Sequence, residues 1–261
     1  MFNPFAIILV IIRLFLLIIP MILFMLVYGI LSLFLFKNTP QNAFKLRRLY
    51  IQYSNFIMGI KCDVKGEQSQ NAALYVSNHR SLSDPLVSLA YLDAYVIAKA
   101  EVGQIPVLAQ GAKLTGILYV KRENKDSRSA VRQMMIDTLQ NGFNVLVYPE
   151  GTVNTDKQIM KYKHGTFNEA AKHGIPVVPI AVEYRDKKDL WFNRSMMQHF
   201  FHQFGRLRTH CKMVIGPEFS NSDGDVLREQ VEDWTMKTIQ SIHNNWDSYF
   251  SKHSTHSGQI S

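Results

Sequence analysis

The 261-residue chain begins with a long apolar segment that differs from everything after it. From Phe5 to Phe36 nearly every position is hydrophobic, with Arg13 as the one charged residue and Pro20 near the middle. A helix of this length would extend about 48 Å at 1.5 Å per residue, whereas the hydrocarbon core of a bilayer is roughly 30 Å thick. We therefore expect either a tilted membrane helix or two half-length helices that turn back near Pro20 within one leaflet.

After this segment, stretches with strand-like and helix-like spacing of hydrophobic residues alternate. Such alternation is typical of an α/β fold. We predict a mostly parallel sheet with helices on both faces, preceded by an N-terminal hydrophobic membrane helix or helical hairpin. The predicted helices cover 47–60, a segment starting at Pro85, 105–114, 126–141, 166–173 and 225–250, and the predicted strands cover 73–77, 94–98, 117–121, 143–148, 177–183 and 211–215.

These patterns divide the chain into three parts. Residues 1–38 are predicted to anchor the protein in a membrane, residues 39–250 to form one domain, and the Ser- and His-rich residues 251–261 to form a flexible tail. Positive charge directly after a membrane segment predicts that the domain lies on the cytoplasmic face, which in a bacterium is that of the inner membrane. Four basic residues stand there: Lys37, Lys45, Arg47 and Arg48.

Composition narrows the class of partner. The chain has 29 Lys and Arg against 21 Asp and Glu, a formal net charge of +8. This excess suits an anionic partner, which can be nucleic acid, an anionic membrane surface or a phosphorylated substrate. The two cysteines, Cys62 and Cys211, provide no disulfide framework and no paired metal-binding spacing, so a reducing compartment is expected.

Candidate chemistry begins in a polar turn after the predicted strand at 73–77. The turn contains His79 and, five positions later, Asp84, which Pro85 follows. Across a strand–loop–helix turn the carboxylate can fold back onto the imidazole, which would then act as a general base held in one tautomer. The simpler alternative is that Asp84 caps the following helix and His79 is an ordinary turn residue. The spacing of the two residues is compatible with both.

Two more of the predicted strands end in polar residues. Each group alone is typical of a solvated strand end or a turn. Parallel strands present their carboxyl ends at one edge of a sheet, so these residues are expected to join His79 there and to form a site with a base and cations. They are Lys121 and Arg122 at the end of the strand at 117–121, and Glu150, Gly151 and Thr152 after the strand at 143–148.

Four blocks, in this order, resemble the motifs of the glycerolipid acyltransferases, the family of 1-acyl-sn-glycerol-3-phosphate acyltransferases. Asn78–Asp84 resembles the Asn-His-x4-Asp motif, and Gly116–Arg122 resembles a glycine-led apolar strand that ends in arginine. Tyr148–Thr152 is similar to the Phe-Pro-Glu-Gly-Thr block, and Val178–Val182 to an apolar block with a central proline. The blocks together cover about residues 75–185. One departure is Val153-Asn154, where the family often has Arg-Ser.

The resemblance implies a membrane-bound acyltransferase of phospholipid biosynthesis. It would move a fatty acyl chain from acyl-CoA or acyl-carrier protein to the free hydroxyl of lysophosphatidic acid. Another lyso-lipid acceptor, of lysophosphatidylcholine type or a lyso-ornithine lipid, is the alternative. The thioester is a co-substrate; no other cofactor, no metal and no nucleic acid are implied. A membrane-tethered nucleic-acid or lipid-binding module is the alternative from another class, and it would not need His79, Asp84 and the Glu150 loop together.

The resemblance also implies roles for the site residues. His79 would deprotonate the acceptor hydroxyl and Asp84 would orient its ring. Arg122, helped by Lys121, would hold the acceptor phosphate, because a guanidinium group matches phosphate geometry. The other predicted substrate-binding residues are Asn78 and Gly151, whose surroundings offer backbone N–H donors to the oxyanion, Glu150, which contacts the acceptor's glycerol or braces the loop, and Thr152.

Two further features leave their interpretation open. The stretch 185–210 is rich in basic and aromatic residues, which suits either a lipid headgroup interface or an ordinary, partly buried helix. A set of potential metal ligands overlaps its end, but no paired spacing repeats, and acyl transfer to an alcohol needs no metal. The set consists of His199, His202, His210 and Cys211.

Overall fold

The computed structural model describes residues 4–34, 39–99, 116–120, 125–156, 158–192 and 195–250, of which 31–34, 98–99, 119–120 and 125–128 are described by their backbone alone. Several expectations fall outside these ranges and remain predictions. They are the helix at 105–114, the domain boundary at Asn38, the tail at 251–261, and the positions of Lys121 and Arg122.

Within the described ranges the chain forms seven α-helices and seven strands. The helices are α1 (Pro4–Phe34), α2 (Pro40–Met58), α3 (Asp84–Leu89), α4 (Lys125–Gln140), α5 (His164–Lys172), α6 (Met196–Phe204) and α7 (Gly224–Asn244). The strands are β1 (Ile60–Lys65), β2 (Leu74–Ser77), β3 (Ala94–Lys99), β4 (Ile117–Val120), β5 (Asn144–Val147), β6 (Val177–Tyr184) and β7 (Thr209–Ile215).

The strands form one sheet in the order β1-β7-β6-β2-β5-β3-β4. All neighbouring pairs from β6 to β4 are parallel. Strand β7 is antiparallel to β6 and parallel to β1, so these two strands run in the opposite direction at one side of the sheet. The prediction of a mostly parallel sheet is confirmed. The carboxyl ends of β2, β5 and β4 therefore lie at the same edge.

Helices cover both faces of the sheet, as predicted. Successive residues of a strand point to opposite faces, and in β2 the side chain of Tyr75 packs in one core while Leu74 and Val76 pack in the other. The first core is closed by α1, α2, α3 and α6, and the second by α4, α5 and α7. Because β2 is buried on both sides, the loop that follows it starts from a rigid point.

Helix α1 is continuous through Pro20, so the expectation of two half-length helices hinged at that residue is wrong. A proline inside a helix removes the N–H that would bond the carbonyl four residues earlier, here Leu16. The hydroxyl of Tyr53 in α2 donates to this carbonyl oxygen at 2.6 Å, and that of Tyr50 donates to the Leu17 oxygen at 2.9 Å. Tyr53 of the neighbouring helix thus supplies the donor that the proline removes.

The stretch Pro4–Ile30 of α1 is long and apolar enough to cross a membrane. One stripe of the helix nevertheless packs on the domain, with Val10 and Arg13 buried and Leu14 and Leu17 against the core. Most of its other large hydrophobic side chains are exposed. Helix α1 is therefore part of the folded domain on one side and offers an apolar surface on the other.

Several element boundaries differ from the sequence prediction. Helix α2 starts at Pro40, after Thr39, whose side chain accepts the Asn42 N–H, and it ends at Met58, with Gly59 (φ 72°) as its C-cap. Ile60 therefore begins β1, a strand that the sequence analysis missed although apolar and charged residues alternate there. Helix α7 ends at Asn244 rather than at 250. The basic and aromatic stretch contains helix α6, whose inner side is buried.

Candidate active site

The polar loop between β2 and α3 brings His79 and Asp84 together. The Nδ1 atom of His79 lies 2.6 Å from Asp84 Oδ2, so the carboxylate does fold back onto the imidazole. The Asp84 side chain is completely buried, whereas the His79 side chain is 21% exposed. Because Nδ1 faces the carboxylate, Nε2 is the ring nitrogen left to meet a substrate.

Asp84 is not the cap of α3. The cap position belongs to Ser83, which makes no side-chain capping bond, and the Asp84 carboxylate points back into the loop. Its Oδ2 atom also accepts the backbone N–H groups of Arg80 at 2.6 Å and Ser81 at 2.8 Å. These donors stabilise a buried negative charge and fix the carboxylate in the orientation that the imidazole needs.

Tyr184 completes the surroundings of this carboxylate. Its hydroxyl donates to Asp84 Oδ1 at 2.7 Å from the end of β6. Burial raises the pKa of Tyr184 well above the usual value, and the nearby Asp84 charge raises it further, so the hydroxyl remains a donor. The sequence analysis missed this residue, because a tyrosine 100 positions away from Asp84 carries no local signal.

Asn78 holds the loop to the sheet. Its amide nitrogen donates to the Val182 oxygen at 2.9 Å, and its amide oxygen accepts the Val182 N–H at 2.8 Å. With 1% of its surface exposed and both amide groups bonded to β6, the side chain of Asn78 supports the loop. A contact between substrate and a backbone N–H near Asn78 remains a prediction.

Glu150, from the loop after β5, acts as a brace. Its side chain is buried, and Oε1 accepts the backbone N–H of His79 at 3.1 Å. Burial raises the pKa of this carboxyl to about 7, partly offset by the His79 N–H, the charge of Arg80 and the Met160 N–H. Of the two predicted roles for Glu150, the contacts favour the brace, because the loop that it holds carries the candidate base.

The loop after Glu150 is held to the His79 loop at several points. Gly151 has φ 75°, a backbone conformation that residues with a Cβ atom rarely adopt, which accounts for glycine at this position. Thr152 is exposed. At the departure at 153–154, the buried Asn154 side chain donates to the Gln158 oxygen at 2.6 Å and accepts the Asp156 N–H at 2.9 Å. The backbone N–H of Asn154 also donates to the His79 oxygen at 2.8 Å.

The motif also contains a buried cation that the sequence analysis did not assign. Arg80 forms an ion pair with Glu183 at 3.0 Å, and its guanidinium also donates to the Asp156 oxygen. Both charged side chains are almost fully buried. Arg80 therefore ties the His79 loop to β6 and to the loop after β5, and it is not positioned to meet a substrate.

The predicted phosphate ligands lie outside the described residues. Strand β4 ends at Val120, directly before Lys121 and Arg122, and at the same sheet edge as His79. The loop after β5 contains three more lysines, which could also reach a phosphate: Lys157 is outside the described residues as well, whereas Lys161 and Lys163 are exposed. Binding of phosphate by Arg122 and Lys121 remains a prediction.

The four potential metal ligands named in the sequence analysis lie in α6 and β7. His199 is fully buried, with Nε2 3.2 Å from Ser81 Oγ and its ring stacked on Trp191 at 5.2 Å. His210 and Cys211 are consecutive in β7 and point to opposite faces of the sheet. These positions argue for structural roles.

Replacing Glu150 with Gln is expected to stabilise the fold most at alkaline pH. Between about pH 4.5 and 7 the folded protein retains a proton on Glu150 that the unfolded chain has lost. Ionised Glu150 therefore costs stability above pH 7, and the cost disappears as the pH falls towards 4.5. The neutral amide of Glu150→Gln would avoid this cost and still accept the His79 N–H. Thermal unfolding should show a gain at pH 8 that shrinks at pH 5, with Glu229→Gln, at an exposed position, as control. An equal gain at both pH values would contradict this explanation.

Comparisons with known proteins agree with these features. Residues 61–183 match the family model described as Acyltransferase. A chloroplast 1-acyl-sn-glycerol-3-phosphate acyltransferase of Brassica napus is 32% identical over 127 residues, which are 47% of this chain and 37% of that protein. The lyso-ornithine lipid O-acyltransferase of Pseudomonas aeruginosa is 31% identical over 122 residues, 47% of each chain. The chain thus spans less than half the length of these curated relatives.

A solved structure has the same fold. The crystal structure of the 1-acyl-sn-glycerophosphate (LPA) acyltransferase PlsC from Thermotoga maritima superposes with a TM-score of 0.63 at 20% identity, over 87% of this chain and 97% of that chain. The matched family region begins in β1 and ends in β6, and so includes His79, Asp84 and Glu150. The resemblance inferred from the four motifs is thus confirmed over residues 61–183, which are similar to the Acyltransferase family.

Proposed function

We propose that this protein transfers a fatty acyl chain from an acyl thioester to the free hydroxyl of lysophosphatidic acid, which gives phosphatidic acid. The observation that carries the proposal is the His79–Asp84 pair. A partly exposed imidazole faces a buried carboxylate at 2.6 Å, and the carboxylate is fixed by further donors. This arrangement suits general-base activation of a hydroxyl group, which is otherwise a poor nucleophile.

The reaction follows from the atoms of the pair. Nε2 of His79 takes the proton of the acceptor hydroxyl while the hydroxyl oxygen attacks the thioester carbon. Asp84 stabilises the imidazolium that forms. The tetrahedral intermediate collapses as the carbon–sulfur bond breaks, and the thiolate takes the proton from Nε2. The chain has no Gly-x-Ser-x-Gly motif for an acyl-enzyme, which favours direct transfer.

The oxyanion of the intermediate needs hydrogen-bond donors near the pair. Backbone N–H groups of the Gly151 loop and those near Asn78 are our candidates. Both loops are held rigidly, the first by Lys163, whose N–H donates to the Pro149 oxygen at 3.1 Å, and the second by the Asn78–Val182 pair. Donors that are held before the reaction stabilise developing charge better than donors that must reorganise.

The choice of acceptor rests on charge and on the relatives. A net charge of +8 and the cations expected after β4 suit a phosphate monoester. The relatives include enzymes named for 1-acyl-sn-glycerol-3-phosphate and for lyso-ornithine lipid. A lyso-ornithine lipid acceptor is therefore the second candidate. The donor is acyl-CoA or acyl-carrier protein, and both share the thioester on which the mechanism depends.

An assay of released thiol tests the proposal. Detergent-solubilised protein would be mixed with acyl-CoA, a thiol reagent and one of three acceptors: lysophosphatidic acid, lysophosphatidylcholine or lyso-ornithine lipid. We expect thiol release to depend on the acceptor and to be fastest with lysophosphatidic acid. A preference for lyso-ornithine lipid would replace the acceptor assignment. No acceptor-dependent release with either acyl-CoA or acyl-carrier protein would contradict an acyltransferase activity.

Arg122→Ala is expected to raise KM for lysophosphatidic acid roughly ten- to hundredfold, the usual effect of losing a hydrogen bond to a charged group. The KM for a lyso-lipid without a phosphate monoester and the KM for the acyl donor should change little. Steady-state kinetics with both acceptors would measure this difference, with Arg132→Ala in α4 as a control for loss of positive charge. Equal effects on all acceptors would remove the phosphate assignment.

We further propose that α1 attaches the protein to the cytoplasmic face of a membrane. The protein should sediment with membranes and resist high-salt washing, because burial of apolar surface is not screened by salt. Ile19 and Leu23 are more than half exposed on the outer side of α1. Replacing both with Lys should make the protein extractable, since charge in the hydrocarbon is costly. The apolar variant Ile19→Leu/Leu23→Met is the control. Unchanged salt resistance of the Lys variant would place the anchor elsewhere.

A further inference from the structure

Arg13 is a buried cation inside an apolar helix, and a membrane anchor alone does not require it. Its side chain is 6% exposed and leaves α1 towards the end of α6. Nη1 donates to the Phe204 oxygen at 2.7 Å and the Arg206 oxygen at 2.6 Å, and Nη2 donates to the Leu207 oxygen at 3.1 Å. Three backbone carbonyls from one short segment therefore converge on one guanidinium group.

These contacts cap the carboxyl end of α6. The last carbonyls of a helix have no partner within the helix and carry a partial negative charge, so a cation that binds them stabilises the helix end. The neighbouring backbone leaves room for the guanidinium, since a Cβ atom at Gly59 would lie 2.9 Å from Arg13 Nη2. The position of α6 therefore depends on a residue of the N-terminal anchor.

The inner side of α6 contacts the loop that carries the candidate base. Gln203 Oε1 lies 3.0 Å from Ser81 Oγ, and Gln203 Nε2 donates to Ser83 Oγ. His199 Nε2 lies 3.2 Å from Ser81 Oγ. All four side chains are buried, and the backbone N–H of Ser81 is one of the donors to Asp84 Oδ2. A shift of α6 would thus move the donors that orient the carboxylate.

We propose that Arg13 is a positioning residue for the His79–Asp84 pair, acting through α6 and the serines of the loop. This inference rests on the proposed acyl transfer. Helix α1 would then have two roles: it attaches the protein to the membrane, and it supports the active site through Arg13. The second role explains why the apolar segment contains the charged residue Arg13.

Kinetics of Arg13→Leu in the full-length, membrane-bound protein test the inference. We expect kcat to fall about tenfold, within the range for residues that modulate a distant site, while KM for donor and acceptor stays within about twofold. Membrane sedimentation and the thermal unfolding temperature are measured in parallel. Leu17→Ala is the matched control, because Leu17 lies on the same packed side of α1 but is not one of the residues that cap α6. Its kcat should remain near that of the wild type.

A double-mutant cycle separates positioning from general loosening. If Arg13 acts through α6, Arg13→Leu and Gln203→Ala should not be additive, and the double variant should be about as slow as the slower single variant. Effects that multiply, or a Leu17→Ala variant as slow as Arg13→Leu, would overturn the inference. An inactive wild type would instead contradict the proposed function.

Arg13→Lys covers the case in which Arg13→Leu does not fold. Lysine keeps the charge but lacks the planar fork that reaches three carbonyls. It should fold and sediment with membranes, with a kcat between those of the wild type and Gln203→Ala. Wild-type kcat in Arg13→Lys together with an unfolded Arg13→Leu would make Arg13 a fold anchor only and overturn the inference.

Discussion

His79→Ala is expected to lower acyl transfer by about three orders of magnitude, within the usual contribution of a general base. Without the imidazole, the acceptor hydroxyl must be deprotonated by water. The fold should persist, because the side chain is partly exposed and its main partner, Asp84, keeps its other donors. Initial rates with lysophosphatidic acid and acyl-CoA, with thermal unfolding as a check on folding, measure the effect.

His173→Ala is the matched control for this variant. His173 follows α5 and is partly exposed, like His79, but its ring lies 3.8 Å from Glu169 and away from the site. Its replacement should leave the rate unchanged within about twofold, as for most surface substitutions. A His79→Ala variant that works at the wild-type rate would remove His79 from the chemistry.

Asp84→Asn is expected to lower the rate by about two to three orders of magnitude with a smaller loss of stability. An amide oxygen can still accept the N–H groups of Arg80 and Ser81, so the loop keeps its shape. The amide has no charge, however, and cannot stabilise an imidazolium at His79. No loss of helix capping is expected, because Asp84 does not cap α3. The measurement is kcat, with circular dichroism to check the fold.

Tyr184→Phe distinguishes loss of charge from loss of orientation. It removes one donor from Asp84 Oδ1 but leaves the carboxylate charged. If the charge matters most, this variant should lose much less in kcat than Asp84→Asn, because the carboxylate keeps its charge and its donors from Arg80 and Ser81. An Asp84→Asn variant that is no slower than Tyr184→Phe would argue against the electrostatic role of Asp84.

The sheet and the neighbourhood of His79 could be predicted from the sequence because their signals are local. The apolar run at 74–76 predicts the strand, and the polar turn after it places His79 and Asp84 within reach of each other. Parallel order brings the ends of β2 and β5 to one edge, and the Glu150 loop is found beside the His79 loop. For these residues, the spacing along the sequence and the strand order determine which side chains lie close together.

The support of the site could not be predicted in this way. Tyr184, Glu183 and Gln203 reach the His79 loop from about 100 positions or more along the chain. Arg13 reaches α6 across more than 190 positions. Such contacts depend on which elements become neighbours in the sheet and its helical layers, and no local pattern encodes that order.

The contact of the Asn78 side chain with β6 could not be predicted for a related reason. A polar residue at a strand end can meet either a substrate or a neighbouring strand, and the sequence does not distinguish the two. In the fold, Val182 of β6 lies beside it, and an amide matches the N–H and C=O groups of a strand. For Glu150 the sequence likewise left two roles open. In the fold its buried carboxyl accepts the backbone N–H of His79.

The most direct test of the central claim is a count of products from acyl-labelled CoA and lysophosphatidic acid. The purified full-length protein would be incubated with and without acceptor, and free thiol and labelled phosphatidic acid would both be quantified. Direct transfer assisted by His79 predicts one phosphatidic acid for each thiol, almost no thiol without acceptor, and only traces of either product with His79→Ala. Thiol release that continues without acceptor, or phosphatidic acid formed at the wild-type rate by His79→Ala, would contradict the account.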